Sequence, residues 1–468
     1  NKQTNLQLQI IKDIIGKITS KTNEFSQKFP ELEEKILGIK QHHEEEKHQD
    51  SIENLHEKIG LLEGVLNEIH VHQEEEEKEK EKIEIEKQQK EKEEKEEELK
   101  KKMINSGDIS DFPIKVDINE KLTTVLLVIA STNRPDYLKK TLDYVAKYHP
   151  KDSISILVSE DGESPKVHNV VSNAFEDMKL NGITVPLLHI HHPQDNQDQR
   201  GYYRLSRHFK WALNQVFSTP IQAGLPIAKR VIILEEDLQI APDFFEFFTA
   251  VTPFIDNDDT ILAASAWNDN GLSELVKDPK QLYRSDFFPG LGWMMSRRIW
   301  EELEPIWPVA YWDDWLREPK RRKGRHTIRP EICRTFHFAQ KGVSAGEFSD
   351  YLNSIFLNEE FVQFTKMDLS YLDSKTWDHN YITQVLQSKV IQPTHEVLNT
   401  AINQNIKEVQ IQYKSLDRAA PSFVSIANLV GAMDNIKANV PRTAYRGVVT
   451  IWYQKKIKIH IVPFDLKE

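Results

Sequence analysis

Val231-Ile232-Ile233-Leu234-Glu235-Glu236-Asp237 is a run of four apolar residues, three of them β-branched, followed at once by three acids. Such a run reads as a buried parallel strand that delivers carboxylates to its carboxyl end. Ligands of open α/β sheets bind at that end. Three adjoining acids repel one another unless a cation or hydrogen-bond donors offset them, and a divalent metal bridging to a phosphate would do so. An acidic strand-to-helix turn is the plainer alternative. Pro242 in Ala241-Pro242-Asp243-Phe244-Phe245 suits a helix start, and acids suit a helix's first turn.

On both sides of this stretch, short β-branched segments alternate with helical periods from Leu122 onward, the pattern of a mostly parallel α/β sheet. Strands are expected at 124–132, 154–159, 183–190, 230–234 and 261–267. Helices are expected at 135–148, with Pro135 at its first position, and at 202–217, with Tyr202, Leu205, Phe209, Ala212 and Val216 on one face. The first, second and fourth strands then end in Arg134, in Asp161 and in the three acids, which is how such sheets build a nucleotide crevice. No glycine-rich phosphate loop follows the first strand, so neither a dinucleotide fold nor a P-loop fits.

Four tryptophans, Trp300, Trp307, Trp312 and Trp315, lie close together around Tyr311-Trp312-Asp313-Asp314-Trp315. Aromatic faces beside carboxylates suit sugar rings, although clustered tryptophans also build cores. Asp313 and Asp314 compete for one role, since neighbours on an extended segment point apart. Gln340 to Phe348, with Gly342 and Gly346 as hinges, reads as a mobile loop. Beyond Leu372, strands at 409–413, 447–453 and 457–462 with a helix at 422–433 make a small α+β module without evident catalytic residues.

The chain has 468 residues, 39% of them apolar, ample for a large core, but 29% are charged and the excess lies at one end. Between Glu74 and Lys102 there are 14 Glu and 10 Lys in 29 residues, with only Ile83, Ile85 and Leu99 apolar, so this stretch builds no core. Residues 1–112 therefore read as a charged helical stem. Ile52, Leu55, Ile59, Leu62, Leu66 and Ile69 follow the spacing of a coiled coil or an amphipathic helix seam, which would support a homo-oligomer or a helix folded back on itself. The remaining segments divide as 113–339, a catalytic domain; 340–371, loop and linker; and 372–468, the C-terminal α+β domain. A net charge of −12 argues against nucleic-acid partners. The single cysteine, Cys333, excludes an intramolecular disulfide and a cysteine-rich zinc site.

Several ordered blocks carry a resemblance. They are Gly201-Tyr-Tyr-Arg-Leu-Ser-Arg-His-Phe-Lys-Trp-Ala-Leu, Leu234-Glu-Glu-Asp-Leu-Gln-Ile-Ala-Pro-Asp-Phe-Phe and Asp286-Phe-Phe-Pro-Gly-Leu-Gly-Trp. Leu303-Glu-Pro-Ile-Trp-Pro, Trp312-Asp-Asp-Trp-Leu-Arg, Lys341-Gly-Val-Ser and Val440-Pro-Arg-Thr-Ala-Tyr-Arg-Gly complete the set. In this order, from Thr123 to Phe464, the chain resembles glycosyltransferase family 13. The resemblance implies a GT-A fold, UDP-GlcNAc as donor, Mn²⁺ as cofactor, and inversion to a β-1,2 linkage on the mannose of a glycoprotein N-glycan.

Carried onto this sequence, the resemblance makes Asp237 the metal ligand and Asp313 the general base. Arg134, Asp161, His208, Glu235, Glu236, Leu291, Trp312 and Ser344 become donor contacts. Glu236 stands where the family usually has Asp, and vertebrate-type members carry several cysteines and disulfides where this chain has only Cys333. The resemblance further implies a Golgi-lumenal, single-pass type II membrane protein whose anchor lies outside this chain. Two other readings stay open: transfer onto protein O-linked mannose, and a non-catalytic sugar-binding or scaffolding protein.

Overall fold

A computed structural model describes residues 123–193, 201–217, 228–339, 351–352 and 354–467. The expected stem, the loop around Gly342 and Gly346, and Ser344 lie outside the described residues.

The expected α/β alternation is present. Strand β1 (Thr124–Ser131) leads to helix α1 (Pro135–Tyr148), β2 (Ser155–Asp161) to α2 (Pro165–Leu180), and β3 (Leu187–His191) to α3 (Gly201–Phe217). The opening stretch is β4 (Arg230–Glu235). It pairs in parallel with β1, which pairs in parallel with β2, and β2 with β3. Both faces of these strands are covered. Leu126, Val128 and Ala130 pack with residues of α1 and α2, while Val125, Leu127 and Ile129 pack with Phe209, Ala212 and Leu213 of α3. Each fully buried aliphatic side chain contributes roughly 1.5–3 kcal/mol, so β1 is fixed in register from both sides.

Beyond β4 the sheet departs from the sequence expectation. A short strand β5 (Leu238–Ile240) follows the three acids, and helix α4 (Phe244–Asn257) starts only after Asp243. The acids therefore do not sit in a helix's first turn, which removes the plainer reading of the opening stretch. Between β4 and β6 (Ile261–Ser265) lies β8 (Trp293–Ser296), antiparallel to both. β9 (His326–Pro330) pairs in parallel with β6, and β7 (Leu282–Ser285) closes the edge antiparallel to β9. The order is β3-β2-β1-β4-β8-β6-β9-β7, a mixed, mostly parallel sheet. Among the described residues, β10 (Thr335–His337) pairs only with β5, and it brings His337 to Asp237, just beyond β4.

The C-terminal strands, β11 (Lys389–Val390), β12 (Glu408–Tyr413), β13 (Val449–Tyr453) and β14 (Ile457–Pro463), form a separate four-stranded sheet. It has its own apolar core of Val409, Ile411, Phe423, Ile426 and Ile459. Trp377, Tyr381 and Val448, by contrast, pack into the core of the large sheet, with Trp377 edge-on to Tyr283 at 5.9 Å. Cys333 is fully buried beside Trp267 and Ile355, and burial pushes its thiol up to about 12. Among the described residues, no helix is long and apolar enough to cross a membrane.

One buried histidine makes the fold acid-sensitive. His149 Nε2 donates to the carbonyl of Ile154 at 2.7 Å, holding a turn in which Ile154 adopts φ 64°. Its Nδ1 is buried without a hydrogen-bond partner among the described residues, and burial lowers the ring to about 4. A histidine pKa depressed from about 6.5 leaves its stability intact above 6.5 and erodes it as the pH falls toward 4. Between pH 7 and 5 the wild type is expected to lose about 2 kcal/mol relative to His149→Gln, whose amide still reaches the carbonyl. Denaturant titrations of both proteins at the two pH values measure this difference; equal losses would refute it.

Candidate active site

The carboxyl ends of β2, β1 and β4 lie side by side, with Ser131 opposite Asp161 and Ile129 opposite Glu235. Two strand widths, about 10 Å, thus separate the Asp161 and Glu235 strands, a span suited to a nucleoside diphosphate.

At the β4 end the three acids have different surroundings. Asp237 Oδ2 accepts from Arg134 Nη1 at 3.0 Å and lies 3.5 Å from His337 Nε2. Burial alone would raise its carboxyl, but His337 and Arg134 hold it below the usual range. Burial pushes Glu235 well up, and Asp237 adds to this, while His337 and Arg134 oppose it. Burial also drives Glu236 up to about 7, against the pull of Arg134 and Ser131.

The acids at 235 and 236 were expected to contact the donor together, and Glu236 departs from that. Its Oε2 accepts from the Ser131 backbone and its Oε1 from the Ser131 hydroxyl, both at 2.6 Å, and Arg134 Nε lies 2.6 Å from Oε1. At 2% exposure, this carboxylate clamps the end of β1 to Arg134 instead of facing the crevice. The longer glutamate side chain reaches back to a neighbouring strand.

At the β2 end, Asp161 accepts from Arg204 Nε at 2.5 Å and lies 2.8 Å from His192 Nδ1. Burial would raise it, yet His192, His208 and Arg204 keep it low. His208 stands behind this group. Its ring is 1% exposed, 2.8 Å from Ser159 Oγ and stacked on His192 at 5.4 Å, and burial lowers it to about 3. His208 thus supports Asp161 and His192 from within the core rather than presenting an open ring.

Asp313 and Asp314 do not sit on an extended segment. After helix α5 (Arg297–Leu303), they occupy the first turn of helix α6 (Trp312–Arg317), entered through Tyr311 in a left-handed conformation at φ 49°. Helical spacing lets one guanidinium serve both, with Arg317 Nη1 2.8 Å from Asp313 Oδ2 and 2.7 Å from Asp314 Oδ1. Asp314 Oδ2 is taken by Lys437 at 3.2 Å. Asp313 therefore spends one oxygen on Arg317, whereas Asp314 spends both on cations. Burial and Asp237 do most to raise Glu235, and the charge of Asp313 adds to this.

Trp312 itself faces inward. Its indole is 6% exposed and stacks on Phe209 at 4.5 Å, Trp293 at 5.6 Å and Trp307 at 5.9 Å, so the clustered tryptophans are core and no platform for a sugar ring. The partly exposed aromatic pair here is Tyr202 on Tyr311, with ring centroids 4.4 Å apart.

Leu291 lies in the run Gly290-Leu291-Gly292, all three at positive φ. The carbonyl of Leu291 accepts from Thr335 Oγ1 at 2.6 Å, and a Cβ at Gly292 would meet Thr335 Cγ2 at 2.6 Å. A leucine held left-handed stores local strain, a recurrent mark of functional loops.

His337 and Arg317 were not anticipated. His337 lies in a three-residue strand with little sequence signal. Arg317 follows Asp313 by four residues, but that spacing has meaning only once the segment is helical.

An α/β sheet with acids and an arginine gathered at the ends of three neighbouring strands has the form of a ligand-binding crevice. The GNT-I family profile matches residues 39–467, and the chain belongs to that family. It is a glycosyltransferase. An α-1,3-mannosyl-glycoprotein 2-β-N-acetylglucosaminyltransferase of Arabidopsis thaliana is 40% identical over 353 residues, 74% of this chain and 75% of that relative. Solved structures overlap weakly. The mannosyltransferase PcManGT from Pyrobaculum calidifontis, in complex with GDP-Man and Mn²⁺, is 14% identical, with 63% of this chain and 84% of that one covered at a TM-score of 0.29. Residues 1–349 of S. aureus TarS with UDP are 12% identical over 60% and 79%, at 0.32. Both scores are too low to extend the comparison.

Proposed function

We propose that this chain moves GlcNAc from UDP-GlcNAc, with inversion, in β-1,2 linkage to the α-1,3-linked mannose of a high-mannose N-glycan core. The observation that carries the proposal is the meeting of Asp237, Arg134 and His337 at the carboxyl end of β4, with Glu236 holding Arg134 in place. The name of the 40%-identical relative supports the same donor sugar and acceptor.

The residues at the end of β4 fit a divalent cation. Asp237 and Glu235 offer oxygens, His337 offers a nitrogen, and His337 Nδ1 is buried with no hydrogen-bond partner among the described residues. A carboxylate-rich set with one imidazole suits Mn²⁺. When bound, the ion would offset the charge that gathers on the departing diphosphate. Arg134 supplies a second positive charge at the same end, held in place by Glu236. Asp161 with Arg204 and His192 orients the nucleoside end. Asp313 removes the proton from the attacking hydroxyl, and Arg317 fixes its rotamer.

The test is transfer from UDP-GlcNAc, with and without Mn²⁺, onto a high-mannose N-glycan and, in parallel, onto an O-mannosyl peptide. Product on the N-glycan alone, dependent on metal, is expected. Product on the peptide alone would move the reading to the O-mannose pathway, and none on either would leave a sugar-binding protein. The same reading assigns the enzyme to the Golgi lumen, which localisation of the tagged full-length protein checks. His337→Ala is expected to raise the Mn²⁺ concentration needed for half-maximal UDP binding about tenfold. An unchanged midpoint in calorimetry would remove His337 from the metal site.

A further inference from the structure

On the other face of β2, away from Asp161, three histidines that could hold a metal ion meet beside Glu160, without a role in the transfer chemistry. His189 and His191 alternate along β3 and so point to one face of the sheet. Glu160 lies directly opposite His191 on β2. His168, on α2, packs its ring over His189 at 5.9 Å, and the rings of His189 and His191 are 4.4 Å apart. One nitrogen from each of the three histidines lies within 4.8 Å of the other two.

Glu160 gives the cluster its chemical direction. Its side chain is fully buried, and its oxygens are met by His189, His191 and the Ser164 backbone. His189 Nε2 and His191 Nδ1 each lie 3.3 Å from Glu160 Oε2, and the geometry leaves His189 Nε2 without a good hydrogen bond among the described residues. A buried carboxylate held this loosely is expensive. A tetrahedral ion with bonds of about 2.0–2.1 Å places neighbouring ligand atoms about 3.3 Å apart. The two nitrogen–oxygen separations already have that value. His191 Nδ1 also lies 3.3 Å from the carbonyl of Gly162, a long contact that coordination would replace. His168 is exposed, so its ring is free to swing in and complete the set.

We propose that His168, His189, His191 and Glu160 form a site for a zinc-class divalent ion, separate from the acid cluster at β4. Three imidazoles and one carboxylate suit Zn²⁺, Co²⁺ or Ni²⁺ far better than Mn²⁺, Mg²⁺ or Ca²⁺, which favour oxygen. Four protein ligands leave no open position, so the ion is structural. It ties edge strand β3 to β2 and α2 just behind Asp161. This inference stands independently of the transferase reading.

The test uses the whole chain, stripped with chelator and re-equilibrated with Zn²⁺ or Co²⁺ alone. Wild type is expected to retain a single zinc by elemental analysis, to give the intense visible spectrum of tetrahedral Co²⁺, and to melt at a higher temperature with metal. His168→Ala and His191→Ala are expected to lose at least about tenfold in zinc affinity and to lose the Co²⁺ spectrum. Glu160→Gln could fail to fold, but His168 is exposed and its removal leaves no cavity. Zinc retained unchanged by His168→Ala and His191→Ala would overturn the site, as would zinc lost instead from Asp237→Ala. A wild type that holds no zinc would also overturn it.

Discussion

Asp313→Asn is expected to bind UDP-GlcNAc and Mn²⁺ almost normally while turnover falls by roughly two to four decades, the usual worth of a general base. The amide keeps an oxygen for Arg317 Nη1, which holds Asp313 at 2.8 Å, so α6 is not disturbed. Only the ability to accept a proton is lost. Asp314→Asn is the internal control. Asp314 is ion-paired to both Arg317 and Lys437, so its loss should lower stability more than it lowers the rate of bound substrate. Single-turnover transfer, with donor affinity measured separately, distinguishes the two. A comparable fall in turnover for Asp314→Asn, or a parallel loss of donor binding in Asp313→Asn, would remove Asp313 from the role of base.

Asp237→Ala should fail at an earlier step. With its carboxylate gone, affinity for UDP in the presence of Mn²⁺ is expected to drop about a hundredfold, near 3 kcal/mol. Affinity without metal should hold or improve, because one negative charge beside the diphosphate is gone while Arg134 keeps its ion pair with Glu236. Calorimetric titrations of UDP with and without Mn²⁺ read both arms. If the variant and wild type respond equally to Mn²⁺, the ion is held elsewhere. The opposite movement of the two affinities separates a lost metal ligand from a collapsed site, which would weaken both.

Strong local patterns carried the first half of the fold. β1, α1 and β4 were legible because long β-branched or amphipathic runs leave one way to bury their apolar faces, and Pro135 marks its helix start. What lay beyond β4 was not legible. Trp293–Ser296 is too short to show alternation, and its place between β4 and β6 is set by tertiary pairing. The same is true of β10, which brings His337 to Asp237. Within the site, residue types were legible but directions were not. Glu236 turns inward because its extra methylene reaches Ser131, Trp312 turns inward because Phe209 and Trp293 offer it a stack, and α6 is helical where an extended segment was expected.

Cys333 has a practical consequence. With the chain's one thiol enclosed beside Trp267 and pushed far from its reactive form, the folded protein offers maleimide dyes no attachment point. A cysteine introduced on the surface, on α6 or at the rim of the crevice, would then be the sole labelled position without any prior cysteine removal. Pairs of such positions would let single-molecule fluorescence follow the crevice as donor and acceptor arrive. No oxidative folding step is required beforehand, so the labelled protein can be made in a reducing host.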